Sequence, residues 1–306
     1  MKSHHRILLV GGGGFLGQAL AKTLLSNGYE VSRVDCRLMS PLTAQDHVLV
    51  GDISNSDFIQ PLLNNCDTLV HLASATTPST SATSPFMEVE ANIGPTLRLL
   101  ELAQQTDLRH LVYISSGGTV YGNPERLPAA ESDPSSPLSY HAAGKVALES
   151  FLHAYRHLSG KVVTVLRPSN LYGPEQPLRS NFGIIRTMLE NVRTGQPLTI
   201  WGDGENVRDY LYIDDMVAAC CRLIERTCDS ETFNVGAGIG TSINRLHQII
   251  ENIVGESISV RHLPARPLDV RAITLDSSKL MKTAEWVPTI SLEEGVYRTW
   301  QWLSHR

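Results

Sequence analysis

No run of lysine and arginine, no long hydrophobic stretch and no metal-type spacing of cysteines appears anywhere in the 306 residues. Lys and Arg total 26 against 31 Asp and Glu, and the net charge of −5 is spread along the chain. A nucleic-acid partner leaves a basic patch, so none is expected; a small anionic ligand held by a few arginines is compatible with this balance. No segment approaches the roughly 18 apolar residues of a membrane helix, which excludes a helical span. The N-terminus, Met1 to Arg6, runs directly into an apolar strand pattern without the apolar core and cleavage site of a signal peptide. The five cysteines (Cys36, Cys66, Cys220, Cys221 and Cys228) are odd in number, which argues for reduced, packed thiols rather than a disulfide framework. A cytoplasmic protein is the expectation. Internal repeats are also missing, and the Ser-, Thr- and Pro-rich stretch Ala73–Pro85 reads as a loop.

What is present is the composition of a folded protein, 42 % hydrophobic and 19 % charged, long enough to bury a large core. Short apolar runs at Ile7–Val10, Glu30–Asp35, Asp46–Val50, Thr68–Leu72, His110–Ser115 and Val162–Arg167 predict strands. Helical patterns near Gly14–Asn27, Asp57–Asn64, Met87–Gln105 and Tyr140–Leu158 lie among them. Short strands separated by helices predict βαβ units and a parallel sheet covered on both faces. After Arg167 the rhythm breaks at Pro168, Pro174 and Pro177, and the later elements are shorter. The reading is an α/β chain with one domain over 1–169 and a smaller α/β lobe over 170–306, joined by a soft boundary that the chain can cross.

The densest signal is Val10-Gly-Gly-Gly-Gly-Phe-Leu-Gly17, which follows the first strand and opens the first helix. Gly11, Gly14 and Gly17 fit GxxGxxG, and Gly12, Gly14 and Gly17 fit GxGxxG. Glycines here allow a tight turn, close approach of backbone to a pyrophosphate, and close helix–strand packing. The free N–H groups at the helix start face the anion. Alone, such a run also reads as a flexible turn. Here an acidic residue, Asp35, ends the second strand, and the pair predicts a doubly wound, Rossmann-type dinucleotide site. A carboxylate at Asp35 accepts from the adenosine ribose hydroxyls and favours NAD over NADP, although Arg33 and Arg37 flank it and would tolerate a 2′-phosphate. Asp52, after the third strand, is expected beside the adenine, or else as a cap for the next helix.

With these pieces the sequence resembles the extended short-chain dehydrogenase/reductase family, in its NAD-dependent epimerase/dehydratase branch. The motifs in order are Gly11–Gly17, Gly51-Asp52-Ile53, His71-Leu72-Ala73, Ser115 to Gly122, Lys145, and Leu166 to Pro174. They continue with Gly202-Asp-Gly204, Arg208 to Asp215, Asn234-Val-Gly236, Arg266-Pro-Leu-Asp269 and Trp286-Val-Pro288. The resemblance implies NAD held by Gly11, Gly14, Phe15, Leu16, Gly17, Asp35, Asp52, Ile53, Leu72, Ala73, Lys145 and Pro168. Similarity to UDP-sugar 4-epimerases further implies an NDP-hexose, UDP-hexose first, in the cleft between the lobes. Thr119, Asn170, Arg208, Arg266 and Asp269 are its implied contacts. The arginines suit the pyrophosphate, because guanidinium forks match phosphate oxygens; surface ion pairs with Asp209 and Asp269 are their plainer reading. The family also implies a homodimer through Met87–Gln105 and Tyr140–Leu158, with Leu97, Leu100, Val146, Leu148 and Leu152 as apolar surface.

The catalytic positions depart from the family pattern. A tyrosine four residues before the lysine is the usual proton acceptor, since positions i and i+4 share a helix face. Here that position is His141, and Tyr140 lies five residues from Lys145, off the shared face. The family's Ser/Thr position, counted back from Tyr121, falls on Gly117, with Ser116 and Thr119 the nearest hydroxyls. One reading makes His141 the acid/base, kept neutral by Lys145 and the nicotinamide, with Ser116 and Tyr140 as further candidates. The other retains binding but weak or no turnover. Gly118-Thr119 stands where family dehydratases carry Asp-Glu, so 4,6-dehydration is not expected. An epimerase leads, with an NDP-keto-sugar reductase and a silent NDP-sugar-binding protein as alternatives. No metal is expected.

Overall fold

A computed structural model describes residues 5–36, 48–178, 183–226, 229 and 231–306. Arg37 and Cys228, and the first two residues of the expected strand Asp46–Val50, lie outside them. The elements begin β1 (Arg6–Val10), α1 (Phe15–Ser26), β2 (Glu30–Asp35), β3 (Val48–Val50), α2 (Ser56–Asn64) and β4 (Thr68–His71). There follow α3 (Pro85–Glu88), a π-helical turn (Val89–Ile93), α4 (Gly94–Gln104), β5 (His110–Ile114), α5 (Gly117–Val120), α6 (Tyr140–Ser159) and β6 (Val162–Pro168). The remainder is β7 (Asn170–Tyr172), α7 (Ile184–Thr194), β8 (Leu198–Trp201), β9 (Val207–Tyr212), α8 (Ile213–Arg226) and β10 (Glu231–Val235). Last come β11 (Gly240–Ser242), α9 (Ile243–Val254), β12 (Val260–Leu263), α10 (Ser278–Ala284) and α11 (Leu292–Ser304).

The chain divides into two units, and each is made of three segments. The first contains 1–115, 139–166 and 217–233; the second contains 116–138, 167–216 and 234–306. The division is thus not a single cut at 169/170, because the chain crosses repeatedly.

The main sheet has the strand order β10-β6-β5-β4-β1-β2-β3, and β1 pairs in parallel with both β2 and β4. This is the doubly wound parallel sheet of a Rossmann-type fold. Strands covered on both faces must be apolar throughout, and every residue of β4 and β5 is buried. Helix starts are set by local chemistry. Asn55 caps α2 by accepting from Asp57 N and Phe58 N, and Ser139 caps α6 by accepting from Ala142 N. At its other end α6 stops on Gly160, whose φ of 68° is cheap only for glycine.

The expected continuous helix Met87–Gln105 is instead α3, a π turn and α4. Pro95 has no N–H to give to a carbonyl four residues back, so a plain α register cannot run through it. The leucines expected on an intersubunit surface face inward. Leu100, Leu148 and Leu152 are buried in the first unit's own core, and Leu97 packs against it. The exposed apolar side chains of these helices are Phe86, Met87, Val89, Phe151 and Leu158.

The second unit carries a three-stranded sheet, β11-β9-β7, and the pair β12-β8. Two buried carboxylates organise it. Asp209 is 1 % exposed and accepts from the backbone N–H groups of Ala237, Gly238 and Leu275 at 2.9 to 3.1 Å. Asp215 accepts from Thr289 N, Thr289 Oγ1 and Ile290 N, while its carbonyl receives Trp286 Nε1–H at 2.9 Å. The motif residues Arg208 to Asp215 and Trp286 to Pro288 are in this way tied into one scaffold.

Candidate active site

The glycine loop joins β1 to α1. Gly11 N and Gly12 N both donate to Val34 O, and Gly14 N donates to Gly11 O. Gly11 has φ +83°, and a Cβ there would stand 2.6 Å from Ala73 N. A Cβ on Gly17 would stand 2.6 Å from Gly11 O. Only glycine lets the loop close on the Leu72-Ala73 backbone and lets α1 sit this near β1. Gly14 caps α1 without a side-chain hydrogen bond, and the first turn holds no acidic residue. The first N–H to reach four residues back is that of Gln18, on Gly14 O. The N–H groups of Phe15, Leu16 and Gly17 are therefore left for an outside acceptor at the positive end of the helix. This cradle fits a pyrophosphate.

Asp35 ends β2 beside the loop, and its Oδ2 accepts from Gly13 N at 3.1 Å. Arg33 does not flank it at the surface, as the sequence suggested. It is 5 % exposed and donates Nε–H to Gly12 O at 3.0 Å, so it buttresses the loop from below. Among the described residues no guanidinium is thereby offered to a 2′-phosphate by Arg33. Asp52 is exposed and accepts from Ser54 N and Oγ; the cap of α2 is Asn55, three residues on. Ile53 packs against the core as a half-buried side chain.

His141 and Lys145 lie on one face of α6, both 8 % exposed. The first turn of α6 is regular, so Tyr140 points outward and is 44 % exposed. Lys145 Nζ donates to Ile114 O at 2.9 Å and lies 5.0 Å from the centre of the Tyr113 ring. Burial pushes the Lys145 ammonium down to about 8, with Glu88 and Glu149 opposing the shift. The same burial, and next the Lys145 charge, pushes His141 down to about 4, so the imidazole is neutral at pH 7.

Three residues that sequence reasoning missed form one hydrogen-bonded group beside His141 Nδ1. Thr76 Oγ1 is 3.1 Å from Nδ1, and Glu88 Oε1 is 3.9 Å from it. Asn92 Nδ2 donates to both Thr76 Oγ1 and Glu88 Oε2 at 2.8 Å, and its Oδ1 accepts from Ala75 N. Glu88 is 4 % exposed and its Oε1 has no hydrogen bond among the described residues. Nothing in the spacing of Thr76, Glu88 and Asn92 marks them as a set.

In the second unit, Ser116 precedes α5 with its side chain free of any cap bond, and Thr119 Oγ1 reaches Ser116 O at 3.5 Å. Gly117 is closed to a side chain: a Cβ would stand 2.5 Å from Leu275 Cδ1 and 2.7 Å from Arg167 O. Leu275 occupies the space that a serine or threonine would need. Pro168 is buried at the end of β6, and the Asn170 amide stands against Gly118. Arg266 and Asp269 form a bidentate pair at 2.9 and 2.9 Å, with the guanidinium 5.0 Å from the Trp201 ring centre. Arg208 donates to Val207 O at 2.9 Å. It does not pair with Asp209, which is turned inward. Burial lowers the Arg208 guanidinium, with Tyr210 and Asp269 opposing the shift and Arg266 adding to it. Among the described residues no cluster of three or more His, Cys, Asp or Glu side chains could hold a metal ion.

Comparison with known proteins bears on the whole chain. Residues 7–236 match the model of the NAD dependent epimerase/dehydratase family. The chain is 33 % identical over 303 residues to a UDP-glucose 4-epimerase of Mycolicibacterium smegmatis, covering 96 % of this chain and 97 % of that protein. The crystal structure of the Thermotoga maritima UDP-glucose 4-epimerase with UDP-glucose superposes with a TM-score of 0.93 at 31 % identity, covering 98 % and 99 % of the two chains. The UDP-glucuronic acid 4-epimerase of Bacillus cereus, in complex with UDP-glucuronic acid and NAD, gives 0.90 at 28 % identity over the same shares. With its Gly11–Gly17 cradle, its Lys145 helix and this match along 7–236, the chain belongs to the NAD dependent epimerase/dehydratase family.

Proposed function

We propose that this protein is an NAD-dependent nucleotide-sugar epimerase of the 4-epimerase type, acting on a UDP-hexose through a transient keto sugar. The observation that carries the reading is the buried His141–Lys145 pair on α6, in the unit that holds the glycine loop. Gly11, Gly14, Phe15, Leu16 and Gly17 take the pyrophosphate of NAD, Asp35 the adenosine ribose, and Asp52 and Ile53 the adenine side. Leu72, Ala73 and Pro168 border the dinucleotide, and Lys145 keeps two N–H donors beyond its bond to Ile114 O for the nicotinamide ribose. The bound NAD supplies reversible hydride acceptance. His141 takes the proton of the sugar hydroxyl at Nε2 and returns it to the keto oxygen. Arg208 and Arg266 hold the UDP pyrophosphate, with Thr119, Asn170 and Asp269 along the sugar nucleotide. Tyr140, turned outward from the face that carries His141 and Lys145, is secondary, and Ser116 is kept as the hydroxyl beside Gly117.

The protein acts in the cytoplasm as a homodimer; the exposed Phe86, Met87, Val89 and Phe151 of α3, the π turn and α6 support that surface. Among the described residues no helix is long and apolar enough to cross a membrane. The test is incubation with a panel of NDP-hexoses, followed by chromatography. Conversion between C4 epimers without added NADH is expected, and His141→Ala should abolish most of it while NAD affinity stays near wild type. Stoichiometric NADH consumption would replace the reading with a reductase. Binding without conversion of any sugar would make the protein a silent binder.

A further inference from the structure

We propose that Thr76, Asn92 and Glu88 are positioning residues that select the ring tautomer of His141. Thr76 O–H donates to Nδ1 in the resting neutral ring, leaving the proton on Nε2. Glu88 Oε1 is the alternative partner that receives Nδ1–H when the ring works as a base. The inference rests on His141 being the acid/base of the site.

The argument is one of donors and acceptors. Asn92 Oδ1 accepts from Ala75 N–H, a group that can only donate, so the amide cannot be reversed. Its Nδ2 then spends one hydrogen on Glu88 Oε2 and the other on Thr76 Oγ1. Thr76 Oγ1 receives that hydrogen and still has its own to place. The acceptor within reach is His141 Nδ1 at 3.1 Å. Nδ1 therefore accepts, and a neutral imidazole that accepts at one nitrogen is protonated at the other. The resting ring thus presents an N–H at Nε2.

A ring in that state donates to a keto oxygen but cannot take a proton from an alcohol at Nε2. The second partner resolves this. Glu88 Oε1 is buried, lacks any hydrogen bond among the described residues, and lies 3.9 Å from the same Nδ1. A Cβ at Gly144, the residue before Lys145, would stand 2.9 Å from the other carboxylate oxygen, so the glycine leaves the room in which Glu88 sits. In the base form the Nε2 proton has been given up to water and one from water taken up at Nδ1; Thr76 O–H turns away, Nδ1–H points to Glu88 Oε1, and the Nε2 lone pair is bare. It accepts the sugar hydroxyl proton, the ring becomes imidazolium between Glu88 and the keto oxygen, and the same proton returns as hydride comes back. No net proton is gained or lost, and the sugar hydroxyl arriving in front of Nε2 selects the base form.

The test is nitrogen NMR of the full-length protein labelled with ¹⁵N-histidine, with His141 assigned by the signal missing from His141→Gln. In wild type at pH 7 the expected pattern is a protonated Nε2 and an unprotonated Nδ1. Thr76→Val should invert it to Nδ1–H, and Thr76→Ser should restore the wild-type pattern. Glu88→Gln in the wild-type background should leave Nε2–H in place. A wild-type ring found as Nδ1–H would overturn the proposal; so would a folded Thr76→Val protein still carrying Nε2–H. The tautomer is read without turnover. A protein inactive on every NDP-hexose would sink the epimerase assignment while the tautomer result stood.

Discussion

Substituting Gly117 by alanine is expected to destabilise the protein although it adds one methyl group to a short helix. The Cβ would enter at 2.5 Å from Leu275 Cδ1 and 2.7 Å from Arg167 O. Leu275 is 1 % exposed and has little room to retreat, and Arg167 O is backbone that closes a strand. Overpacking of this kind costs about 1–3 kcal/mol. For a protein of this size that corresponds to a fall in Tm of about 2–6 °C. A double-mutant cycle with Leu275→Ala separates the two clashes. If the leucine carries half of the problem, alanine at 117 should cost about 1 kcal/mol less in the Leu275→Ala background. Urea titrations of the four proteins at pH 7.5 give the comparison. A Gly117→Ala protein as stable as wild type, or an equal cost in both backgrounds, would refute the packing argument. The same clash tells against recovering the family's hydroxyl by Gly117→Ser alone.

Stability should fall steeply in mild acid. Burial pushes His71 to about 3, and His110 and His141 to about 4, each from an ordinary value of 6.5. Depressed folded values mean that the unfolded chain binds protons first. The stability is complete above about pH 6.5 and is lost toward pH 4 for His110 and His141 and toward pH 3 for His71, by up to ~1.4 kcal/mol per pH unit for each histidine. A urea midpoint unchanged between pH 7 and pH 5 would contradict this. Gly11→Ala must hold a φ of +83° against the Ala73 backbone, and a left-handed non-glycine residue costs about 1–2 kcal/mol before any clash; calorimetry should find at least a tenfold loss of NAD affinity, and an unchanged affinity would count against the cradle. Light scattering should give twice the chain mass for wild type. Replacing both Phe86 and Phe151 with lysine should give the monomer, and a wild-type monomer at micromolar concentration would remove the dimer.

Much of the fold was legible along the chain because its causes are local. Strand and helix spans follow from hydrophobic period, and the glycine loop follows from steric needs written in consecutive residues. That His141 rather than Tyr140 shares a face with Lys145 is a matter of 3.6 residues per turn, and a regular first turn capped by Ser139 bears it out. The break at Val89–Ile93 had its signal in Pro95, which the apolar periodicity outweighed.

Other features depend on atoms far apart in sequence. Arg33 lies two residues from Asp35 yet is turned under Gly12, which no strand pattern specifies. Leu275 fills the space at Gly117 from more than a hundred residues away. Leu100, Leu148 and Leu152 read equally as surface or core until packing put them inside. Thr76 and Glu88 meet His141, with Asn92 tying the two together, only because the loop after β4 and the turn beyond it pack on α6. Sequence by itself determined the folding class, the family and the residues that backbone periodicity brings together. The tertiary structure alone decided which buried side chains share hydrogen bonds, since donors and acceptors removed from water must find partners wherever packing places them.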